Sequence, residues 1–170
     1  QEARAALPDP LPAGLDIQFL PADLSHPLWP QGLPAGGFDG VLAFAVLHHL
    51  PSRSLQARVL SQVHALLSPG QRFIFSVWQF QRSPKLMARV QPWSALPQLD
   101  ANDLEPGDTL LDWRCSVPGQ PEQSGLRYVH LFTPERLAEL IAETGFALVE
   151  SFDSDGHTGN LSSYQICQVV

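Results

Sequence analysis

The feature that most constrains this chain is the stretch 38–50, an apolar run that ends on two adjacent histidines. Phe38, Val41, Leu42, Phe44 and Val46 occur there without alternation of apolar and polar positions. A strand with one wet face alternates, whereas a strand of a parallel sheet covered by helices has no polar side to show. The run therefore predicts a parallel strand buried on both faces. Pro51 breaks it and Ser52 is placed to cap a helix. In an open parallel sheet, ligands collect where the chain leaves the carboxyl ends of the strands. His48 and His49 stand at that point.

The following residues extend the pattern. Leu55, Val59, Leu60, Val63, Leu66 and Leu67 recur at helical spacing until Ser68, Pro69 and Gly70 stop the helix, and residues 71–78 read as the next strand. Strand, helix and strand make a βαβ unit, whose crossover is expected to be right-handed. Upstream, residues 1–8 read as the end of a helix. Residues 15–20 alternate as a short strand does and place Asp23 just beyond its carboxyl end, and 25–37 read as a loop or one helical turn. Downstream, residues 79–126 carry prolines, Trp93, Trp113 and an acidic run from Asp100 to Asp108 with no clear period, the mark of an insertion or lid. Order returns at 127–132. Thr133, Pro134 and Glu135 then supply an N-cap, a proline at the first helical position and an acid in the first turn. Leu137, Leu140 and Ile141 face the core, Gly145 closes that helix, and 146–152 and 162–170 are final strands.

The 170 residues are 44% apolar and only 16% charged, which suits one globular domain and argues against disorder. No run approaches the roughly 18 apolar residues of a membrane span, and the first residues have neither the basic region nor the apolar core of a signal peptide. Cys115 and Cys167 are too few for a disulfide framework or a zinc site, so the cytoplasm is the expected location. A net charge of −7 argues against a broad nucleic-acid footprint, and the loose group Arg72, Arg82, Lys85 and Arg89 reads first as solvated surface.

Several short motifs occur in a telling order: Ala22, Asp23 and Leu24; Phe38, Asp39 and Val41; Leu67 to Gly70; Gly145 and Phe146. In order and spacing they resemble class I S-adenosylmethionine-dependent methyltransferases from the third strand onward. The resemblance implies an α/β, Rossmann-like sheet whose last strand is antiparallel. A narrower resemblance rests on residues 45–50, on Val77, Trp78 and Gln79, on Gln91, Pro92 and Trp93, on residues 127–132, and on Gly159 and Asn160. These are similar to tRNA wobble-uridine methyltransferases that esterify a carboxymethyl group, including the methyltransferase domain of AlkB-homologue tRNA enzymes.

That resemblance implies S-adenosyl-L-methionine as cofactor, with Asp23 and Leu24 at the adenine and Ala45, Val46 and His49 at the methionine end. It implies catalytic roles for His49 and Arg127, and a substrate pocket of Trp93, Arg127, Tyr128, His130 and Asn160. No metal is implied, and the partners would be tRNA and a small zinc-binding activator protein. Members of the family open with a glycine-rich loop and an acid at the end of the second strand, and nothing before Asp16 matches either. The chain accordingly reads as the single C-terminal portion of a methyltransferase domain, with 79–126 inserted in it. By itself it is expected to bind cofactor poorly and to be inactive.

The residues taken singly leave plainer readings open. Asp23 and Asn160 suit turns, Ala45 and Val46 suit a core, and Trp93 suits a buried aromatic position. Arg127 suits either a solvated surface or a clamp on a carboxylate or phosphate. Tyr128 and His130 share a strand face, as cross-strand pairs or as pocket lining. His48 and His49, as neighbours on a strand, point to opposite faces and cannot together hold zinc, so one of them is a packed or capping histidine. Two rival functions stand beside the first: methylation of a small acidic metabolite, and a non-catalytic scaffold that keeps the fold. A positive face of Arg82, Lys85, Arg89 and Arg127 favours tRNA; a closed apolar pocket favours the metabolite.

Overall fold

The computed structural model describes residues 8, 12–116, 119 and 121–170. The chain divides into two compact units, 1–31 and 32–170. The expected helix end at 1–8 lies, but for Pro8, outside the described residues.

In the first unit, residues 15–20 form no strand. Their alternation is real, but a strand also needs a neighbour to take its backbone hydrogen bonds, and the described residues of this unit contain no second strand. From Asp23 the chain runs in successive turns, with His26 N–H donating to Asp23 O, Trp29 N–H to His26 O and Gln31 N–H to Leu28 O at 2.9–3.2 Å.

The second unit holds a four-stranded sheet in the order β1, β2, β7, β6 and a three-stranded sheet in the order β3, β4, β5. β1 (Phe38–Phe44) runs parallel to β2 (Leu67–Trp78), with α1 (Arg53–Ala65) between them in sequence. Ser52 caps α1 by accepting the Leu55 N–H on its Oγ. β7 (Ser162–Val169) is antiparallel to both β2 and β6 (Phe146–Ser154), as expected of the last strand. α3 (Pro134–Glu143) begins at the Thr133 cap, whose side chain accepts the Arg136 N–H. It ends before Gly145 at φ +85, where an added Cβ would lie 2.8 Å from His64 Nε2, so α1 and the end of α3 meet with no room for a side chain.

The core occupies one face of the four-stranded sheet. Phe73, Phe75 and Val77 of β2 with Cys167 and Val169 of β7 pack beneath Val59, Leu60 and Val63 of α1 and Leu137, Leu140 and Ile141 of α3. Burying each of the larger side chains stabilises the fold by roughly 1.5–3 kcal/mol. The opposite face differs. Phe44, Ser76, Tyr164 and Phe152 stand in one cross-strand row, with Leu42, Ile74 and Ile166 in the next. Leu42 is 64% exposed and Phe44 50%. β1 is therefore not buried on both faces as its composition predicts: α1 and α3 both lie over the Phe75 side, where Val41 and Ala43 point.

Residues 79–126 hold more order than their lack of periodicity suggests. They contain α2 (Pro84–Met87), β3 (Val90–Gln91) and β4 (Asp108–Cys115), and β5 (Gln123–His130) returns antiparallel to β4 over its whole length. Most apolar positions of this small sheet are half-exposed, which is why no strand period stands out; Phe80, Leu111 and Val129 form its buried cluster.

Candidate functional site

The carboxyl end of β1 is shaped by a backbone bend. Ala45 adopts φ +54, left-handed for a residue with a Cβ, a conformation that costs on the order of 1 kcal/mol. It is held because Ala45 N–H reaches both Ser76 O at 3.2 Å and Ser76 Oγ at 3.1 Å on β2. Val46 follows, and residues 47–49 form a 3₁₀ turn, closed by His49 N–H to Val46 O at 2.9 Å. The side chain of Gln56 locks the exit by donating to Leu50 O at 2.9 Å.

Because they lie on a turn and not on a strand, His48 and His49 do not point to opposite faces; their rings sit 4.3 Å apart. Each ring is fixed differently. His48 is fully buried and its Nδ1 accepts the Trp78 N–H at 3.2 Å, so the proton sits on Nε2. That Nε2 has no hydrogen-bond partner among the described residues. Burial above all, with the charge of Arg127 and the neighbouring His49, pulls the His48 pKa down to about 3, so the ring is neutral near pH 7. His49 is half-exposed, and its Nδ1 donates to the Tyr128 carbonyl at 3.0 Å. Its pKa is lowered by burial, then raised in part by that bond and lowered by Arg127. His49 thus presents a neutral Nε2 with a free lone pair.

Trp78, at the end of β2, completes the group. His48 stacks on it at 4.9 Å, His49 meets it edge-on at 5.6 Å, and the Arg127 guanidinium lies 5.6 Å above its ring. A cation–π contact of this kind leaves the guanidinium N–H donors unused. The residues beyond Arg127 are anchored as well. Asp108 Oδ1 accepts the Tyr128 hydroxyl at 2.6 Å and His130 Nδ1–H at 2.7 Å, with the Asp108 and His130 side chains both buried. Burial and the Asp108 hydrogen bond push the Tyr128 phenol well above its ordinary pKa.

Of the residues singled out from sequence, Ala45, Val46, His49, Arg127, Tyr128 and His130 come together here. Asp23 and Leu24 belong to the first unit. Asp23 Oδ1 accepts the Ser25 N–H at 2.9 Å and its hydroxyl at 2.7 Å, and these bonds lower the Asp23 pKa. Trp93 sits half-buried on a separate 3₁₀ turn and takes no part in the ring contacts around Trp78. Asn160 lies on the β6–β7 connection and lines an open cleft of about 360 Å³ with Arg82, Lys85 and His157. The sequence marks Trp78 only as part of a motif and Asp108 only as the end of an acidic run. The Asp108 partners Tyr128 and His130 lie on the neighbouring strand, 20 and 22 positions further on, so no local pattern points to it.

Of the basic group, Arg82 pairs with Asp153 and lines one cleft with Lys85, while Arg89 lies 3.9 Å from Asp112. Among the described residues no cluster of three or more histidine, cysteine or acidic side chains has the geometry to hold a metal, and no helix is long and apolar enough to cross a membrane.

Comparison with known proteins gives the following. The profile of a methyltransferase-domain family matches residues 4–151. A protein of Encephalitozoon cuniculi described as a methyltransferase is 27% identical over 114 residues, which is 66% of this chain and 46% of that one, so the chain matches less than half of this relative's length. An S-adenosylmethionine-dependent methyltransferase structure from Methanosarcina mazei aligns with a TM-score of 0.64 at 19% identity, covering 99% of this chain and 75% of that one. The 1,6-didemethyltoxoflavin-N1-methyltransferase of Burkholderia thailandensis, solved with S-adenosylhomocysteine, aligns at 0.50 and 21% identity over 81% of this chain and 46% of its own. At these identities the two structures speak for the fold.

Proposed function

The chain belongs to the methyltransferase-domain family, and from that premise we propose that it carries the acceptor side of a site for methylating a carboxylate, borne by the carboxymethyl group of a modified tRNA wobble uridine. The observation that carries the reading is the Arg127 guanidinium, held over Trp78 beside the neutral, half-exposed His49 at the carboxyl ends of two parallel strands.

S-adenosylmethionine, when bound, supplies an electrophilic methyl on a sulfonium. The strand end fits one part of that cofactor: Ala45, Val46 and His49 are half-exposed there, and the bend at Ala45 turns the backbone away from the sheet. A carboxylate is already a nucleophile, so the protein has to orient and desolvate it. Arg127 offers two parallel N–H donors to its oxygens. His49 needs no proton change; being neutral, it adds no charge that would compete for the anion. The resemblance at residues 45–50 and 127–132 supports the tRNA acceptor, and the same resemblance brings in a small zinc-binding partner and the cytoplasm.

A second reading, a small acidic acceptor, is favoured by the net charge of −7 and by the pairing of Arg82 and Arg89 with carboxylates. One experiment separates the two. The full-length protein is incubated with methyl-labelled S-adenosylmethionine and either carboxymethyluridine-bearing tRNA or a panel of small carboxylic acids. Label that alkali releases is ester-bound, and the acceptor carrying it decides between the readings. Arg127→Ala is expected to lower kcat/KM on the order of 10- to 100-fold, as loss of a charge-assisted hydrogen-bond pair does. Transfer to nitrogen or carbon alone, or an unchanged Arg127→Ala enzyme, would overturn the carboxylate reading.

A further inference from the structure

The turn 105–108 ties three parts of the second unit together. Glu105 Oε1 accepts the Arg53 N–H at the start of α1, at 3.1 Å. Gly107 carries φ +104, and an added Cβ would lie 2.6 Å from Leu131 O, so only glycine lets the turn close against β5. Its own carbonyl accepts the Leu131 N–H at 2.9 Å. Asp108 is then delivered beside β5 with both of its oxygens accepting: Oδ2 from Glu105 N–H at 2.9 Å, and Oδ1 from the Tyr128 hydroxyl at 2.6 Å and His130 Nδ1–H at 2.7 Å.

Tyr128 is the link to the site. Its side chain is held by Asp108, and its carbonyl accepts a hydrogen bond from His49 Nδ1–H. The preceding residue, Arg127, reaches Trp78 from the same stretch of strand. A carbonyl accepts and cannot donate, so its placement selects which His49 nitrogen keeps the proton. A shift of β5 that lengthened this bond much beyond about 3.2 Å would release that choice.

We infer that Asp108 is a positioning residue: through Tyr128 it fixes the stretch of β5 that sets the His49 tautomer and aims Arg127. The inference deepens the reading of His49 and Arg127 as the acceptor-facing pair and rests on it for its meaning in catalysis. The geometric part stands without any substrate.

The test uses the full chain labelled with ¹⁵N. Long-range proton–nitrogen correlation spectra read the tautomer of each imidazole, with the His49 signals identified by their loss in His49→Gln. The unsubstituted protein is expected to show His49 protonated on Nδ1 alone. Tyr128→Phe keeps the ring and loses the hydroxyl, and Asp108→Asn loses the carboxylate charge. In both, the Nε2–H form of His49 is expected to rise from a trace to a comparable population, while the His48 signals keep their pattern. A merely structural Asp108 would lower the melting temperature and leave the His49 tautomer untouched; that result in folded Tyr128→Phe overturns the inference, even should Asp108→Asn fail to fold. A methyl-transfer assay then divides the two claims. A fall in kcat with KM nearly unchanged in Tyr128→Phe supports both. A tautomer change in a protein that transfers to no carboxylate upholds the positioning and sinks the functional reading.

Discussion

The four-stranded sheet has two apolar faces that the protein treats differently. On one, Phe75 and its neighbours Phe73 and Val77 lie under α1 and α3 with essentially no exposure. On the other, Phe44, Tyr164 and Phe152 form an aromatic row, Phe152 stacked on Tyr164 at 5.1 Å, that stays partly exposed, Phe44 by half. Strands of nearly the same composition feed both faces. What separates them is where the helices fall: α1 follows β1 and α3 precedes β6, and both cross on the same side. An apolar strand reports that it fits a covered environment; it does not report what covers it.

Phe75→Ala opens a cavity in the covered face and should cost about 3–5 kcal/mol of unfolding free energy, read from denaturant midpoints. A loss below about 1 kcal/mol would mean that this face is not the packed core. The second test is acid. His48 is neutral in the folded chain, with its pKa near 3, while in the unfolded chain it titrates at the ordinary 6.5. Between those values the unfolded state binds the extra proton, so stability falls as the pH drops through that window. The slope approaches about 1.4 kcal/mol per pH unit from this group. His48→Gln should remove about one proton from the measured pH dependence, and an unchanged slope would place His48 in water.

Smaller effects follow. Thr133→Ala removes the cap of α3 and should cost about 1 kcal/mol, with the helix otherwise intact by circular dichroism. Leu42→Ser, on the open face, should change stability by no more than about 0.5 kcal/mol. A loss as large as that of Phe75→Ala would show that something covers the open face in solution, and would erase the contrast between the two.

Much of the architecture could be read without coordinates because its signals are local. Thr133 and Pro134 start α3, Gly145 ends it, Ser52 starts α1, and the apolar centres of β1 and β2 bracket a helical period. The failures are equally specific. Residues 15–20 alternate like a strand yet have no ladder partner among the described residues of their unit. The β4–β5 hairpin was hidden because half-exposed strands of mixed polarity carry no clear period. The apolar run suggests that His48 and His49 continue a strand, whereas the left-handed bend at Ala45 ends it before them.

By itself, then, the sequence determined α1, α3 and the strands of the four-stranded sheet, that a parallel pair would end at the two histidines, and that Arg127, Tyr128 and His130 would lie on one strand. These follow from side-chain period, capping chemistry and residues adjacent in the chain. Only the tertiary structure decided that His48 is sealed beneath Trp78 while His49 faces outward, that Asp108 joins Tyr128 to His130 across two strands, and that one face of β1 stays open. Each of those depends on contacts between residues 20 or more positions apart, and no local preference encodes which distant group arrives to accept a proton or to exclude water.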